Sequence, residues 1–408
     1  MDLRTSYDVV IVGAGHAGAA LAIALRQKGF SGSILLIGDE PALPYERPPL
    51  SKDYLLGKIG AEHLLIRPAE FWPENKVDLA VRCAVQELDP DRRRVTLSDG
   101  RHFSFGWCVL AAGGKVRRLA CDGAELGGVH TLRNVSDVEH IRDELDATSQ
   151  VAVVGAGYIG LEFAAAACEL GKRVTVIETQ QRVLSRVTSP VISRFVEEEH
   201  IRRGVSFHFG QGVRAFRGEG ALQEAILDDG TAIPAQMAIC GIGIDAETRL
   251  AEQAGLACDQ GVLVDSCFRT SAPDILAIGD CSRHPNPFAD GLWRLESVQH
   301  AQDSAATAAD AIIGNALPYA QVPTFWSQQY DMRLQSAGLS MAADEIIVRG
   351  ETGSTPFSAI YTREGKVIGI DAINAPRDFM AARKLIKQGA SPDRDSLRDP
   401  GIPLRSLT

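Results

Sequence analysis

Asp8-Val9-Val10-Ile11-Val12-Gly13-Ala14-Gly15-His16-Ala17-Gly18 brings an unbroken β-branched run into a glycine turn near the start of the chain. The run reads as a buried parallel strand, and Ala19-Ala20-Leu21-Ala22-Ile23-Ala24-Leu25-Arg26 as the helix it feeds. Each glycine in such a turn has its own task. Gly13 permits the tight bend, Gly15 lets backbone approach a pyrophosphate, and Gly18 lets helix and strand pack closely. The phosphates would lie on the helix N-terminus, where free N–H groups and the helix dipole favour negative charge. G-x-G-x-x-G is a weak signal alone. Here a second strand, Ser33 to Gly38, follows the helix and ends in Asp39, whose carboxylate is placed to accept hydrogen bonds from an adenosine ribose.

The design recurs. Val151-Ala152-Val153-Val154-Gly155-Ala156-Gly157-Tyr158-Ile159-Gly160 opens the helix Leu161 to Cys168, and the strand Arg173 to Glu178 follows it. A carboxylate at Glu178 accepts hydrogen bonds from a free ribose 2′-hydroxyl and repels a 2′-phosphate, which favours NADH over NADPH. Arg182, just beyond it, points the other way. Two complete dinucleotide fingerprints imply two redox carriers, and so a flavoprotein that takes hydride from a nicotinamide.

At 408 residues the chain fits two or three domains. Its formal net charge of −10 argues against binding a nucleic-acid backbone. An acidic protein partner would need a local basic patch, for which Arg67, Arg92, Arg93, Arg94, Arg294 and Arg333 are the candidates. No apolar run approaches the roughly 20 residues of a membrane span. No basic segment, apolar stretch or cleavage site precedes the first strand, which leads to the expectation of a cytoplasmic protein. Cys83, Cys108, Cys121, Cys168, Cys240, Cys258, Cys267 and Cys281 are scattered, with neither C-x-x-C nor zinc-ligand spacing. No metal site is expected, and the redox cysteine pair of a disulfide reductase is missing.

Pro41-Ala42-Leu43-Pro44-Tyr45-Glu46-Arg47-Pro48-Pro49-Leu50-Ser51-Lys52 predicts a stiff, extended loop, after which Lys52 begins a helix with its ammonium aimed back at the cofactor site. Val77 to Arg101 reads as a small antiparallel meander, with Val85 where a backbone amide would meet an adenine. The apolar strand Trp107 to Leu110 runs into Ala111-Ala112-Gly113-Gly114 and closes the first nucleotide domain. Arg133, before a helix near Asp137, serves a flavin phosphate or ribityl group, or faces solvent. Glu162 either answers the helix dipole or faces the nicotinamide amide. Gly241 and Gly243, in the run Ala235 to Ile244, permit close approach to the nicotinamide half. Asp280 ends a strand and suits ribitol hydroxyls; the helix that Glu296 to Ala301 opens, running to Ile313, would set its N-terminus by the flavin pyrimidine. Beyond Pro318 to Pro323, strands at Leu334 to Ala337, Glu345 to Arg349, Phe357 to Thr362 and Lys366 to Ile373 precede a helix at Pro376 to Gln388. Trp326 near the start of this last part is either core or a group beside the flavin.

The segments Arg47-Pro48-Pro49-Leu50-Ser51-Lys52, Gly157-Tyr158-Ile159-Gly160-Leu161-Glu162, Ala277-Ile278-Gly279-Asp280-Cys281, Arg294-Leu295-Glu296-Ser297-Val298 and Phe325-Trp326-Ser327-Gln328-Gln329-Tyr330 resemble the single-chain, FAD-dependent, NADH-using ferredoxin reductases of bacterial oxygenase systems. The resemblance covers essentially the whole chain. It implies an α/β fold on the glutathione-reductase-like plan: a Rossmann-like FAD domain at 1–114 and 246–320, a Rossmann-like NADH domain at 115–245, and a C-terminal α+β domain at 321–408.

It implies FAD on Gly13, Gly15, Ala17, Gly18, Asp39, Arg47, Lys52, Val85, Arg133, Asp280 and Val298. NADH falls to Gly155, Gly157, Tyr158, Ile159, Gly160, Glu178 and Gly243. Lys52, Glu162 and Trp326 are the groups expected to influence the redox step, with Lys52 paired to Glu162 across the hydride site, and the implied partner is an acidic [2Fe-2S] ferredoxin serving an oxygenase, an aromatic-ring dioxygenase or a cytochrome P450. Thr324, Gln328 and Ala112 stand where the family more often has Trp, Asp and Thr. Two other readings stay open: an NADH oxidase, which needs a redox cysteine near Pro48 to Lys52, where none stands, and a signalling flavoprotein of the apoptosis type that NADH switches.

Overall fold

The β-branched run forms the strand Ser6–Val12, with Val9 to Val12 buried, as a central parallel strand requires. It pairs in parallel with Ile34–Ile37 on one side and His102–Leu110 on the other. Val77–Ala80 extends the sheet beyond Ile34–Ile37, and Ile275–Ala277 pairs in parallel with the far end of His102–Leu110. Strand order therefore reverses across Ser6–Val12, and the crevice at the carboxyl ends there is where α/β sheets bind ligands. Val85–Asp89 and Arg94–Leu97 form the antiparallel part expected of the meander. Val77–Ala80 does not belong to it, because its partner is the parallel strand Ile34–Ile37. The helices His16–Gln27 and Val298–Ile312 pack on each other, and their alanines share one core with these strands.

The structure is a computed structural model that describes residues 3–407. Its contacts gather the elements above into one unit, Met1–Glu46, Ala61–Lys115 and Asp245–Pro323, and the rest into a second, Arg47–Gly60, Val116–Ile244 and Thr324–Thr408. The Arg47–Gly60 segment, expected with the first nucleotide domain, falls in this second unit.

In the second unit a parallel sheet runs in the order Ser206–Phe209, Arg173–Glu178, Gln150–Val154, Met237–Cys240, Val129–His130. A three-stranded antiparallel sheet, Val213–Arg217, Glu224–Leu227 and Ala232–Pro234, accompanies it. The C-terminal part is a five-stranded antiparallel sheet in the order Thr324–Gln329, Met332–Gly338, Lys366–Ile373, Phe357–Arg363, Glu345–Arg349. The Pro376–Gln388 helix follows and stops at Gly389, which takes a left-handed φ of 64°. The helix expected near Asp137 spans Val135–Leu145, and Asn134 with Asp137 forms its capping box.

Two elements depart from expectation. Thr324–Gln329 is an edge strand rather than a lead-in, and it carries Trp326. Pro48–Ser51 tightens into a 3₁₀ turn, two prolines supplying the fixed φ of its start, and Lys52 closes that turn instead of opening a helix. Among the described residues no helix is long and apolar enough to cross a membrane.

Candidate functional site

The glycines of the first turn divide their labour as the spacing predicts. Gly13 has a φ of 113°, and a Cβ there would fall 2.3 Å from the Ala111 carbonyl oxygen. A Cβ on Gly18 would come within 1.9 Å of the Gly13 carbonyl oxygen. Gly15 is different: nothing lies within 4 Å of where its Cβ would be. The protein's own packing demands the outer two glycines, while the middle one faces open space. The helix His16–Gln27 has no side-chain cap and no acid in its first turn, so its leading N–H groups face that space without competition.

Asp39 is exposed at the end of its strand and has no partner among the described residues. Ala17 is buried, and a Cβ on Gly279 would lie 2.9 Å from its methyl, so the Gly279–Cys281 turn bearing Asp280 sits directly against the first turn of this helix. Val298 begins the helix Val298–Ile312, capped by Ser297 through the His300 N–H at 3.0 Å. Val85 is buried at the start of its strand. An open cradle, a free carboxylate and a second helix N-terminus in one unit fit an adenine dinucleotide such as FAD.

The second turn repeats this geometry. Gly155 has a φ of 102° and a virtual Cβ 2.5 Å from the Gly241 carbonyl oxygen, Gly160 one 2.1 Å from that of Gly155, and Gly157 none within 4 Å of anything. Tyr158 and Ile159 open the helix Tyr158–Glu169, Ile159 exposed, and no side chain caps it. Gly243 is exposed with a φ of 104°. Glu178 accepts hydrogen bonds from the N–H groups of Ala156 at 2.7 Å and Gln180 at 2.8 Å. The Arg182 guanidinium donates to Ser193 Oγ at 2.5 Å and to the Ser185 carbonyl at 2.8 Å.

Glu162 is the fifth residue of its helix and buried, so the reading in which it merely answers the dipole of the first turn does not hold. Its carboxylate is a hub. Oε2 accepts from Ser51 Oγ at 2.5 Å and from Lys52 Nζ at 2.5 Å, and Oε1 accepts from Ser327 Oγ at 2.7 Å. Lys52 also donates to the Pro48 carbonyl at 3.1 Å and stands 5.2 Å from the centre of the Trp326 ring, which is 40% exposed. Arg47 donates to the Arg133 carbonyl at 2.6 Å, which brings these two arginines together.

Behind the hub lies a chain of hydrogen bonds that the sequence did not announce. Gln329 Nε2 donates to Ser327 Oγ at 3.1 Å, and Gln329 Oε1 faces His200 Nε2 at 2.8 Å. With the amide NH₂ turned to Ser327, its oxygen takes the imidazole proton, and His200 Nδ1 is left to accept from Tyr330 OH at 3.2 Å. Burial pushes the His200 pKa down to about 4, so the ring is neutral at pH 7. Every proton in the series then points toward the Glu162 carboxylate, each bond polarising the next. Along this strand Trp326 and Gln328 are exposed and Ser327 and Gln329 buried, an alternation that the residue types do not signal. Phe325, on the buried face, stacks on Tyr158 with centroids 4.2 Å apart. Among the described residues all eight cysteines are free thiols.

Two such turns in one chain define an oxidoreductase that handles two dinucleotides. The family model described as pyridine nucleotide-disulphide oxidoreductase matches residues 7–305, the reductase C-terminal model matches residues 324–408, and the chain belongs to this family, among its ferredoxin reductases. It is 46% identical over 406 residues to the ferredoxin–NAD(P)+ reductase of Sphingomonas sp., covering 99% of this chain and 98% of that protein. It is 45% identical over 405 residues to the 5,5′-dehydrodivanillate O-demethylase ferredoxin reductase subunit of a Sphingobium strain, covering 98% of each. The solved covalent complex of putidaredoxin reductase with putidaredoxin superposes with a TM-score of 0.94 at 36% identity, over 100% of this chain and 98% of that one. The resemblance read from the motifs is therefore borne out, as is the pairing of a two-dinucleotide fold with a C-terminal reductase domain.

Proposed function

We propose that the protein passes electrons from NADH through FAD to a small [2Fe-2S] ferredoxin that serves an oxygenase. The observation that carries this reading is the pair of matched glycine turns, each left open at its middle glycine, in a chain whose eight cysteines are, among the described residues, all free thiols. When bound, the isoalloxazine is what accepts a hydride and releases its two electrons singly, and the protein supplies binding, orientation and electrostatics.

In this reading Gly13, Gly15, Ala17 and Gly18 cradle the FAD pyrophosphate, Asp39 holds the adenosine ribose, Val85 meets the adenine, and Asp280 with the helix start at Val298 receives the flavin half. Arg47 and Arg133 support the same group. Gly155, Gly157, Tyr158, Ile159, Gly160, Glu178 and Gly243 receive NADH. Lys52 and Glu162 hold a fixed charge pair beside Trp326, whose exposed ring offers an exit toward a one-electron partner. The relatives' names support the ferredoxin as acceptor and an oxygenase behind it. Eight free thiols and a substrate drawn from the NADH pool suit the cytoplasm.

Stopped-flow mixing tests the reading. NADH should bleach the flavin within the turnover time, and cytochrome c reduction should become fast only when a small ferredoxin is added. Equal turnover without ferredoxin would point to the oxidase instead, and a colourless protein that takes up no FAD would end the proposal.

A further inference from the structure

Selectivity between NADH and NADPH is a separate question, since the Sphingomonas relative is named for NAD(P)+. The segment after the Arg173–Glu178 strand is pinned to the second glycine turn at both ends. The Glu178 carboxylate takes the Ala156 N–H at 2.7 Å, and the Leu184 N–H donates to the Ala156 carbonyl at 2.9 Å. Arg182 lies inside that closed loop. An arginine placed there is the kind of group that accommodates a 2′-phosphate on the adenosine ribose.

Its guanidinium is engaged elsewhere. Nη1 donates to Ser193 Oγ at 2.5 Å and Nη2 to the Ser185 carbonyl at 2.8 Å, and among the described residues it makes no bond to Glu178. Ser193 is itself fixed in the Pro190–Arg202 helix. It is buried, and its hydroxyl donates to the Val183 carbonyl at 2.6 Å, so what it offers Arg182 is a lone pair in a set direction.

We infer that Ser193 is a coenzyme-specificity residue: by holding Arg182, it leaves Glu178 as the charged group that meets the ribose 2′ position, so that NADH is taken and NADPH refused. The inference rests on the second turn being the NADH site. The mechanism is the sign of the local charge. A carboxylate alone accepts from a 2′-hydroxyl and repels a 2′-phosphate, while a released guanidinium would neutralise that phosphate and bond it directly.

The test uses the FAD-loaded protein and two probes that need no turnover, 5′-ADP and 2′,5′-ADP, titrated by calorimetry. Ser193→Ala should tighten 2′,5′-ADP about tenfold, the scale of one charge-assisted hydrogen bond, while 5′-ADP changes by less than about twofold. Arg182→Ala in the wild-type background should leave 2′,5′-ADP binding as it is, and in the Ser193→Ala background should erase the gain. The ratio of kcat/KM for NADPH over NADH should follow the same pattern. Ser193→Thr, which keeps the hydroxyl, should keep wild-type selectivity. If Arg182→Ala alone weakens 2′,5′-ADP, the guanidinium already serves the phosphate and the latch is wrong. Selectivity unchanged in Ser193→Ala, or shifted as far by Ser193→Thr, overturns it equally. Failure of wild-type protein to bind 5′-ADP at all would mark the loss of the coenzyme reading itself.

Discussion

The two glycine turns are alike in backbone and unlike in the carboxylate that follows. In both, the outer glycines are forced by a carbonyl oxygen and the middle one is open. Asp39 then has no partner among the described residues, while Glu178 already accepts from two backbone N–H groups and the Thr179 hydroxyl, which fix the direction of what remains. A free carboxylate must be ordered by its ligand. One fixed beforehand costs the ligand nothing to orient. The first arrangement suits a group that binds once and stays; the second suits a coenzyme that must be recognised afresh in every cycle and told apart from its phosphorylated twin.

The largest effects should come from the middle glycines. Gly15 and Gly157 have φ near −80°, which any L-residue adopts, and no protein atom near a virtual Cβ. Gly15→Ala should therefore give a colourless protein whose own melting temperature is unchanged or slightly raised. Gly157→Ala should give a yellow protein that NADH bleaches at least a hundredfold more slowly. Flavin absorbance, stopped-flow reduction and thermal melts separate the two. If either alanine unfolds the protein, the glycine is structural and the parallel between the turns fails.

Next in size is Glu162→Gln. It removes the charge that answers Lys52, whose side chain is only 16% exposed, and sets an NH₂ group among three donors. Breaking a largely buried pair in this way costs about 3 kcal/mol, and displacement of the Lys52 and Trp326 groups should slow flavin reduction by roughly tenfold to a hundredfold. A melt of the variant within a degree of wild type would show that the hub is not under charge control.

What the amino-acid order announced and what it hid divide along the same line. The turns were legible because strand, glycine spacing and helix lie within about twenty residues and are dictated by local backbone sterics. So was the C-terminal helix, whose ends fall at Pro376 and Gln388 as read. Of the Glu162 hub only the pair with Lys52 was. Ser51 is 111 residues away from Glu162 and Ser327 is 165 away, and nothing local in either serine marks it as a partner. The Thr324–Gln329 strand was missed because its alternation is inverted, with Ser327 and Gln329 buried and Trp326 exposed, so a search for apolar inward faces passes over it. Val77–Ala80 was assigned to the wrong neighbours because alternation says which face is buried and not which strand lies alongside.

Acid sharpens the comparison between the units themselves, since each buries a neutral histidine. Burial lowers His200 in the second unit to about 4 and His300 in the first to about 3, from an ordinary 6.5. The unfolded chain takes up protons below about pH 6.5 while the folded rings do not, so stability is intact above that pH and falls as the pH drops toward the folded values. For His200 the loss between pH 7 and pH 5 is about 2 kcal/mol. His200→Asn should flatten that slope in the transition of the second unit and leave the first unit's slope as it was. A slope unchanged by the substitution would place the acid sensitivity elsewhere.

The smallest effects return to the two carboxylates. Glu178→Ala strips the acceptor from the Ala156 and Gln180 N–H groups, which should lower stability by about 1 to 2 kcal/mol and raise the KM for NADH about tenfold. Asp39→Ala removes an exposed side chain with no hydrogen bond or ion pair among the described residues, so its melt without flavin should stay within about 0.5 kcal/mol of wild type, and only FAD affinity should fall. The informative measurement is the pair of melts without ligand, because the difference between the turns is a difference in what each carboxylate does before anything binds. Equal destabilisation by both substitutions would mean that Asp39 is tied down no less than Glu178, and the contrast between a carboxylate ordered by its ligand and one ordered in advance would be lost.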